Sequence, residues 1–202
     1  MNQFLNALNT LRCDDHRYYH QSRINQTLHL ISAISFLIAY GLLPVDPALA
    51  AIIGWCVAMV SRQSGHIFFE PRGFDPVNQV SYDYKETIKV GYNMRRKGIL
   101  IAIWVAIPVM LALSPGLFGL IAPATSIQGT LHTIGLAWLA LAVAGIAFRV
   151  LQLWVLRDLL TGLAWMTKIL TDPFYNVAIY YKAPLALLRG EMLDPMAHLR
   201  PH

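Results

Sequence analysis

The chain has 202 residues, of which 56% are hydrophobic and only 13% are charged. An ordinary soluble domain carries about 25% charged residues, so this balance excludes a typical soluble enzyme and predicts an integral membrane protein. The net charge of +5 would suggest nucleic-acid binding in a soluble protein. Here we expect lysine and arginine to lie at one membrane face, and we predict no nucleic-acid partner. Two cysteines are too few for a disulfide framework or a cysteine-based zinc site.

The N-terminal segment, residues 1–24, is polar enough to lie outside a bilayer. Phe4, Leu5, Leu8 and Leu11 follow helical spacing, which predicts an amphipathic helix, or a pair of helices, at the surface. Because acidic residues and arginines interrupt this segment, we expect that it is not a cleavable signal peptide.

Four apolar runs follow, and we interpret each of them as a membrane-spanning helix. The predicted spans are residues 28–43, 48–63, 98–114 and 131–156. The first two are short against the roughly 20 residues that cross a bilayer, so their polar flanks must extend the helices. They form a transmembrane hairpin or, alternatively, a buried or re-entrant one. The sequence therefore predicts a single all-α domain, a four-helix transmembrane bundle with interfacial amphipathic helices.

Two further segments are polar. Residues 71–97 carry tyrosines and basic residues, including Lys97, which suit a helix at the headgroup surface or, equally, a solvated connecting helix. Residues 157–202 are predicted to form a cytoplasmic tail that packs against the cytoplasmic face. Asp75 and Asp172 each precede a proline, the pattern of an N-cap at a helix start.

The distribution of basic residues predicts the orientation of the bundle. Four spans place both termini on one side, and the two loops on the other side are residues 44–47 and 114–130. Neither loop contains lysine or arginine, so the positive-inside rule places both termini in the cytoplasm. We therefore expect a multi-pass protein of the bacterial inner membrane or the endoplasmic reticulum.

This topology sorts the histidines by depth. His16, His20 and His29 precede or open the first span, and His66 leaves the second span on the same side. His132 begins the fourth span on the opposite side, so it is excluded from a common site. Histidines at an interface often serve only as hydrogen-bonding anchors, but four that converge can bind iron(II), manganese or zinc. The sequence therefore predicts a metal site at the cytoplasmic face.

The spacing around these histidines adds three expectations. His20 and His29 are nine residues apart, half a turn out of phase on a straight helix, so both can bind one metal only if the chain bends, for example near Asn25. Glu70 follows His66 by four residues, which one helical turn brings to the same face. The arginines on either side of this stretch suit lipid phosphate or a substrate carboxylate. These arginines are Arg62 and Arg72.

Two motifs resemble those of a known family, the membrane-embedded 2-hydroxy fatty acid dioxygenases first described in yeast, which act in α-oxidation during phytosphingosine breakdown. His20-x4-Asn25-x3-His29 is similar to the family's H-x4-N-x3-H pattern. Gln63-x-Gly65-His66-x-x-Phe69-Glu70 is similar to its Q-x-x-G-H-x-x-F-E pattern, with one residue fewer after the glutamine. The resemblance covers residues 18–72, about a quarter of the chain.

The resemblance implies a function. It suggests an iron(II)-dependent dioxygenase that uses molecular oxygen to shorten a 2-hydroxy fatty acid, or a similar lipid acid, by one carbon. His20, His29 and His66 would be iron ligands and Glu70 a ligand or a residue that supports one; His16 is added from its spacing alone. The substrate would chelate the iron through hydroxyl and carboxylate, and Arg62 or Arg72 would meet the carboxylate. The chain departs from the family in its single short hairpin between the motifs and in the segments after Glu70.

Two other classes of protein stay open. A His-ligated membrane lipid hydroxylase or desaturase would carry about eight histidines in HxxxH and HxxHH boxes, whereas this chain has seven histidines and no HxxHH. A non-enzymatic membrane scaffold would bind no metal and would tolerate His66→Ala. No phosphate-binding loop or dinucleotide fingerprint is present. The oligomeric state is left open.

Overall fold

The computed structural model describes residues 2–70, 73–75, 78–90 and 94–196. Within these ranges the regular secondary structure is helical, apart from two isolated bridges. The helices are α1 (Asn2–Tyr19), α2 (Arg23–Leu42), α3 (Pro47–Ile53), α4 (Val60–Phe68), α5 (Tyr82–Ile88), α6 (Met94–Leu113), α7 (Ile127–Leu156), α8 (Leu159–Tyr180) and α9 (Ala183–Leu188). The predicted all-α class is therefore confirmed.

Polar side chains set the helix starts. Ser22, Asp46, Ser126 and Asp158 each accept a hydrogen bond from the backbone N–H three residues later, the usual role of an N-cap residue. A π-helical segment, Gly54–Met59, joins α3 to α4, so the chain stays helical through this stretch.

Three of the predicted spans correspond to single helices, and one to a composite. Residues 28–43 lie within α2 except for the last, residues 98–114 match α6, and residues 131–156 lie in α7; residues 48–63 run from α3 into α4. Two helices, α2 and α7, are long and apolar enough to cross a membrane by length and composition. Helix α6 contributes a shorter apolar stretch, Lys97–Leu113.

The segment after residue 157 differs from the predicted polar tail. Helix α8 has 22 residues and packs against α1, α2 and α7. Its charged residues Lys168 and Asp172 are buried and pair with each other at 2.6 Å, so they do not mark an exposed surface. Asp172 does not cap a helix either, because Pro173 lies inside α8.

The connecting segment before α6 also differs from the prediction. The residues directly after Asp75 lie outside the described part of the chain, and residues 78–80 that follow are not helical; the Asp75 carboxylate accepts hydrogen bonds from the backbone and side chain of Asn78. Lys85 is 1% exposed and lies 3.8 Å from Asp75 Oδ2, so it does not face a headgroup layer. Lys85 and Lys97 of this segment are therefore buried rather than facing outwards.

Tryptophans hold α6, α7 and the π-helical segment Gly54–Met59 together. Trp55 Nε1 donates to the Trp138 carbonyl at 2.9 Å, and Trp138 Nε1 donates to the Trp104 carbonyl at 3.0 Å. The rings of Trp55 and Trp104 stack with their centroids 6.1 Å apart. Both hydrogen bonds cross between helices, so the indoles fix the distance between them as well as filling the core.

Helices α3 and α7 pack closely at Gly135, where a Cβ would lie 2.8 Å from the Cα of Ala48. We expect Gly135→Ala to lower the free energy of unfolding by about 2 kcal/mol, because backbone at this contact cannot move aside. Gly145→Ala in the same helix is the control, since a Cβ there meets nothing within 4 Å. Thermal unfolding in detergent, followed by tryptophan fluorescence, compares them, and equal stability would contradict the close contact.

Candidate metal centre

The site begins where α1 ends. The chain leaves the helix after Tyr19, and α2 starts at Arg23 with Ser22 as its N-cap. This break places His20 outside both helices, and it supplies the change of direction that His20 and His29 require. The break between the two helices lies at residues 20–22, earlier in the chain than the predicted position near Asn25.

His20, His29 and His66 lie together in the interior. They are 1%, 0% and 7% exposed, and one ligand nitrogen from each lies within 4.8 Å of the others. The Nε2 atoms of His20 and His29 are 3.0 Å apart. Two nitrogens bound to one metal at about 2.1 Å lie about 3 Å apart, so this pair has metal-ligand spacing. We refer to these three residues as the histidine triad.

Two of the three rings are held in a fixed orientation. His20 Nδ1 donates to the Asp15 carbonyl at 2.8 Å, and His66 Nδ1 lies 2.7 Å from Glu70 Oε2. A carbonyl or carboxylate oxygen accepts here, so the proton sits on Nδ1 and leaves Nε2 with its lone pair. Protein metal sites orient their histidines in this way. His29 differs, because its buried Nδ1 has no partner among the described residues.

Glu70 supports the triad from outside. Its Oε2 meets His66, and its Oε1 pairs with the Lys89 ammonium at 3.0 Å. Both carboxylate oxygens are thus engaged, which suits the second of its two predicted roles, the support of a ligand. The triad nitrogens come from histidines alone.

His16 lies beside the triad and is not part of it. Its ring centroid is 5.4 Å from that of His20, and its Nδ1 is hydrogen-bonded to the Tyr180 hydroxyl. His16 Nε2 is buried and has no partner in the described part of the chain. The converging nitrogens are those of the other three histidines, so the ligand role predicted for His16 from spacing is not supported by the geometry. His132 is exposed in α7 and apart from the triad, as predicted.

Burial keeps these imidazoles neutral. It lowers the pKa of His20, and together with the His20 charge it lowers the pKa of His16 well below the usual value. Burial, followed by the nearby Lys97 charge, also lowers the pKa of His66 well below its usual value. Neutral imidazole is the form that binds a metal, so these rings need not lose a proton before binding.

A cavity of about 600 Å³ adjoins the triad, and His66 is among its lining residues. Its volume lies in the range of small-molecule sites. Among the described residues, four cationic side chains line it, namely Arg62, Lys89, Lys97 and Lys168. Apolar and aromatic side chains form much of the remaining wall, including Phe36, Trp55, Met59, Leu100, Trp104 and Trp165. The carboxylates of Asp14 and Asp15 also line it, so in the described part of the chain the cavity combines a largely apolar wall with an excess of positive charge.

The arginines predicted at the site have different outcomes. Arg62 lines the cavity, and its guanidinium lies 3.4 Å from Asp172 Oδ2. Its predicted contact with a substrate carboxylate stays a prediction. Arg72 falls outside the described residues, so its predicted role is not addressed by the structure.

Sequence reasoning missed Tyr180, Lys168 and Lys97. Tyr180 comes from the end of α8 and is 4% exposed next to His16. Lys168 pairs with Asp15 at 2.9 Å and so ties α8 to the end of α1. The spacing of Lys168 and Asp172, one helical turn, was an available signal for a helix through this stretch.

The C-terminal segment also reaches the triad's surroundings. The Asp194 N–H donates to the Gln21 carbonyl at 2.8 Å, and the Arg23 N–H donates to the Met192 carbonyl at 2.9 Å. Asp194 Oδ2 accepts from the side chains of Arg23 and Gln26. The segment thus packs against the break that carries His20.

Comparison with known proteins finds no matching family model, no matching curated protein and no matching solved structure. The fold and site therefore define the protein by class, as an all-helical chain with a buried histidine triad beside an apolar cavity.

Proposed function

We propose that this chain is an integral membrane dioxygenase that binds iron(II) at His20, His29 and His66 and shortens a 2-hydroxy fatty acid, or a similar lipid acid, by one carbon. The observation that carries the proposal is the triad, whose nitrogens converge beside a largely apolar cavity. An all-histidine set with open positions suits iron(II), and also zinc or manganese. The resemblance of residues 18–72 to the fatty acid dioxygenases favours iron.

The membrane setting is supported by the surface of the helices. Helix α7 has a mean hydropathy of 2.1 over its most apolar window, of which only 22% is buried. Helix α6 likewise exposes Ile99, Val109 and Leu113. Helices that are apolar all round and little buried are typical of membrane spans. In the proposal, the four predicted segments cross the bilayer, both termini are cytoplasmic and the triad lies near the cytoplasmic face.

The donor set fits a resident metal ion, since His20 and His66 keep their protons on Nδ1 and leave Nε2 with its lone pair, and His29 Nε2 lies 3.0 Å from His20 Nε2. Iron(II), when bound, supplies the redox chemistry that activates molecular oxygen. The chain's own residues do the rest. Glu70 and the Asp15 carbonyl fix two imidazoles, and the cavity holds the acyl chain away from water.

The overall reaction balances with one molecule of oxygen. The 2-hydroxy acid and O2 give the acid one carbon shorter, CO2 and water. Carbon 1 leaves as CO2 and carbon 2 becomes the new carboxyl carbon. The substrate must therefore carry its hydroxyl next to the carboxylate, so a similar lipid acid qualifies only if it too has a 2-hydroxyl group.

The experiment that tests this function uses the full chain, purified in detergent and loaded with iron(II) without oxygen. We expect about one iron per chain, and oxygen uptake that depends on a long-chain 2-hydroxy acid. The acid lacking the hydroxyl should give no uptake, and mass spectrometry should detect the product one carbon shorter. Stoichiometric zinc without turnover would support the metal site but contradict the proposed dioxygenase activity. Absence of both bound metal and turnover would contradict the proposal that this chain is an enzyme.

A further inference from the structure

Lys97 stands out among the charged residues around the cavity. It lies in the first turn of α6 and is only 8% exposed. Its Nζ is buried and has no hydrogen-bond partner among the described residues. Taking an ammonium group out of water is costly unless a partner compensates the charge, so this position calls for an anion.

The other three cations of the cavity wall already have partners. Lys89 pairs with Glu70 and Glu86, each at 3.0 Å.

Lys168 pairs with Asp15 at 2.9 Å and with Asp172 at 2.6 Å, and Arg62 lies 3.4 Å from Asp172. Of these four cations, Lys97 is therefore the one without a counter-ion in the described part of the chain.

The face of α6 that carries Lys97 continues along the cavity. Lys97, Leu100 and Trp104 all line it, and their spacing of three and four residues places them on one face of the helix. This face runs from a positive charge to an apolar wall. A ligand with an anionic end and a long apolar chain matches both parts.

We propose that Lys97 binds the carboxylate of a long-chain acid whose alkyl chain lies along Leu100 and Trp104. This assignment rests on the proposed function, because it takes the cavity as the substrate site. It makes Lys97 the residue that selects an acid over a neutral lipid of the same length. The carboxylate then lies at Lys97, whereas Arg62 stays paired with Asp172.

Binding without metal tests this assignment separately from the enzyme activity. The full chain in detergent, with a chelator present, is titrated with a fluorescent long-chain fatty acid, and the acid and the alcohol of equal chain length compete with it. We expect the wild type to bind the acid about tenfold or more tightly than the alcohol, as a charge-assisted hydrogen bond predicts. Lys97→Met should lose this preference and keep its affinity for the alcohol.

Two further variants complete the experiment. Lys97→Arg keeps the charge and should retain a preference for the acid, and Lys182→Met removes an exposed lysine elsewhere and should change nothing. Equal wild-type affinities for acid and alcohol would overturn the assignment, even if Lys97→Met failed to fold. An unchanged acid preference in Lys97→Met would also overturn it. If the acid preference is found but iron and oxygen uptake are not, the proposed function fails while the binding assignment stands.

Discussion

Alanine in place of His29 is expected to remove nearly all bound iron and to weaken iron(II) affinity more than about a hundredfold. His29 is fully buried, and its Nε2 lies 3.0 Å from His20 Nε2, so the variant deletes one of three converging donors at their closest approach. Loss of a direct ligand exceeds the roughly 10- to 100-fold cost of changes to the groups behind the ligands. Elemental analysis gives the stoichiometry, and competition with a metal-sensitive chelator gives the affinity.

Two matched variants show whether the loss is specific. His132→Ala removes an exposed histidine from α7 and should keep a full complement of iron. His16→Ala removes a buried histidine beside His20 and should also keep it, because the converging nitrogens are those of the triad. A folded His29→Ala protein that still binds one iron per chain would contradict the triad. Iron loss in His16→Ala would add His16 to the ligand set.

The helices were largely predictable from hydropathy and spacing. Uninterrupted apolar runs predict helices directly, and they placed α2, α6 and α7 near their observed positions. The π-helical segment Gly54–Met59 carries no comparable signal, since its residues read as part of one apolar helix. Predicting one continuous helical segment over this stretch was sufficient to place His66 at the end of that segment that lies near His20 and His29.

The triad was predictable because helix geometry limits where its members can lie. His20 and His29 could meet only if the chain broke between them, and the break follows from the Ser22 N-cap. Asn25 was given as one example of where the chain could bend, but it lies inside α2 with its side chain donating to the Tyr19 carbonyl at 2.8 Å. Such a bond between helices is set by packing and leaves no local pattern.

Helix α8 was not predicted because its charged residues neutralise one another. Lys168 and Asp172 lower the hydropathy of the segment, yet in the fold they pair with each other and Lys168 also pairs with Asp15. Hydropathy assigns each side chain its own preference for water and cannot include a partner more than a hundred residues away. Pro173 also argued against a continuous helix, because a proline usually starts or ends a helix. In this fold it lies inside α8.

Hydropathy is equally unable to distinguish the cations of the cavity by their partners. Arg62 and Lys97 are equally charged in the sequence, and only the fold distinguishes the one that faces Asp172 from the one without a partner among the described residues. A basic run at the start of α6 suggested a headgroup surface. The burial of Lys97 at 8% exposure is what makes it a candidate ligand-binding residue.

A methyl group at Gly65 is expected to damage fold and site together, because this glycine lies where α4 meets α2. A Cβ there would overlap the Oδ1 of Asn25 and lie 3.5 Å from His29 Cδ2. Asn25 cannot easily move, since it is fully buried and its Nδ2 is bonded to the Tyr19 carbonyl. We expect Gly65→Ala to cost about 3 kcal/mol, from overpacking and the lost hydrogen bond, and to weaken iron binding more than tenfold.

The control for this variant is Gly41→Ala in α2, where a Cβ meets nothing within 4 Å. It measures the gain of about 0.5–1 kcal/mol that alanine brings to a helix interior, and it should leave iron binding unchanged. Asn25→Ala combined with Gly65→Ala removes the overlap, so the double variant should be more stable than the sum of the single effects predicts. Strict additivity in thermal unfolding, with full iron occupancy in Gly65→Ala, would show that the glycine does not position the triad. A coupling of about 1 kcal/mol or more, together with weaker iron binding in Gly65→Ala, would support a role for the contact between Asn25 and Gly65 in positioning the triad.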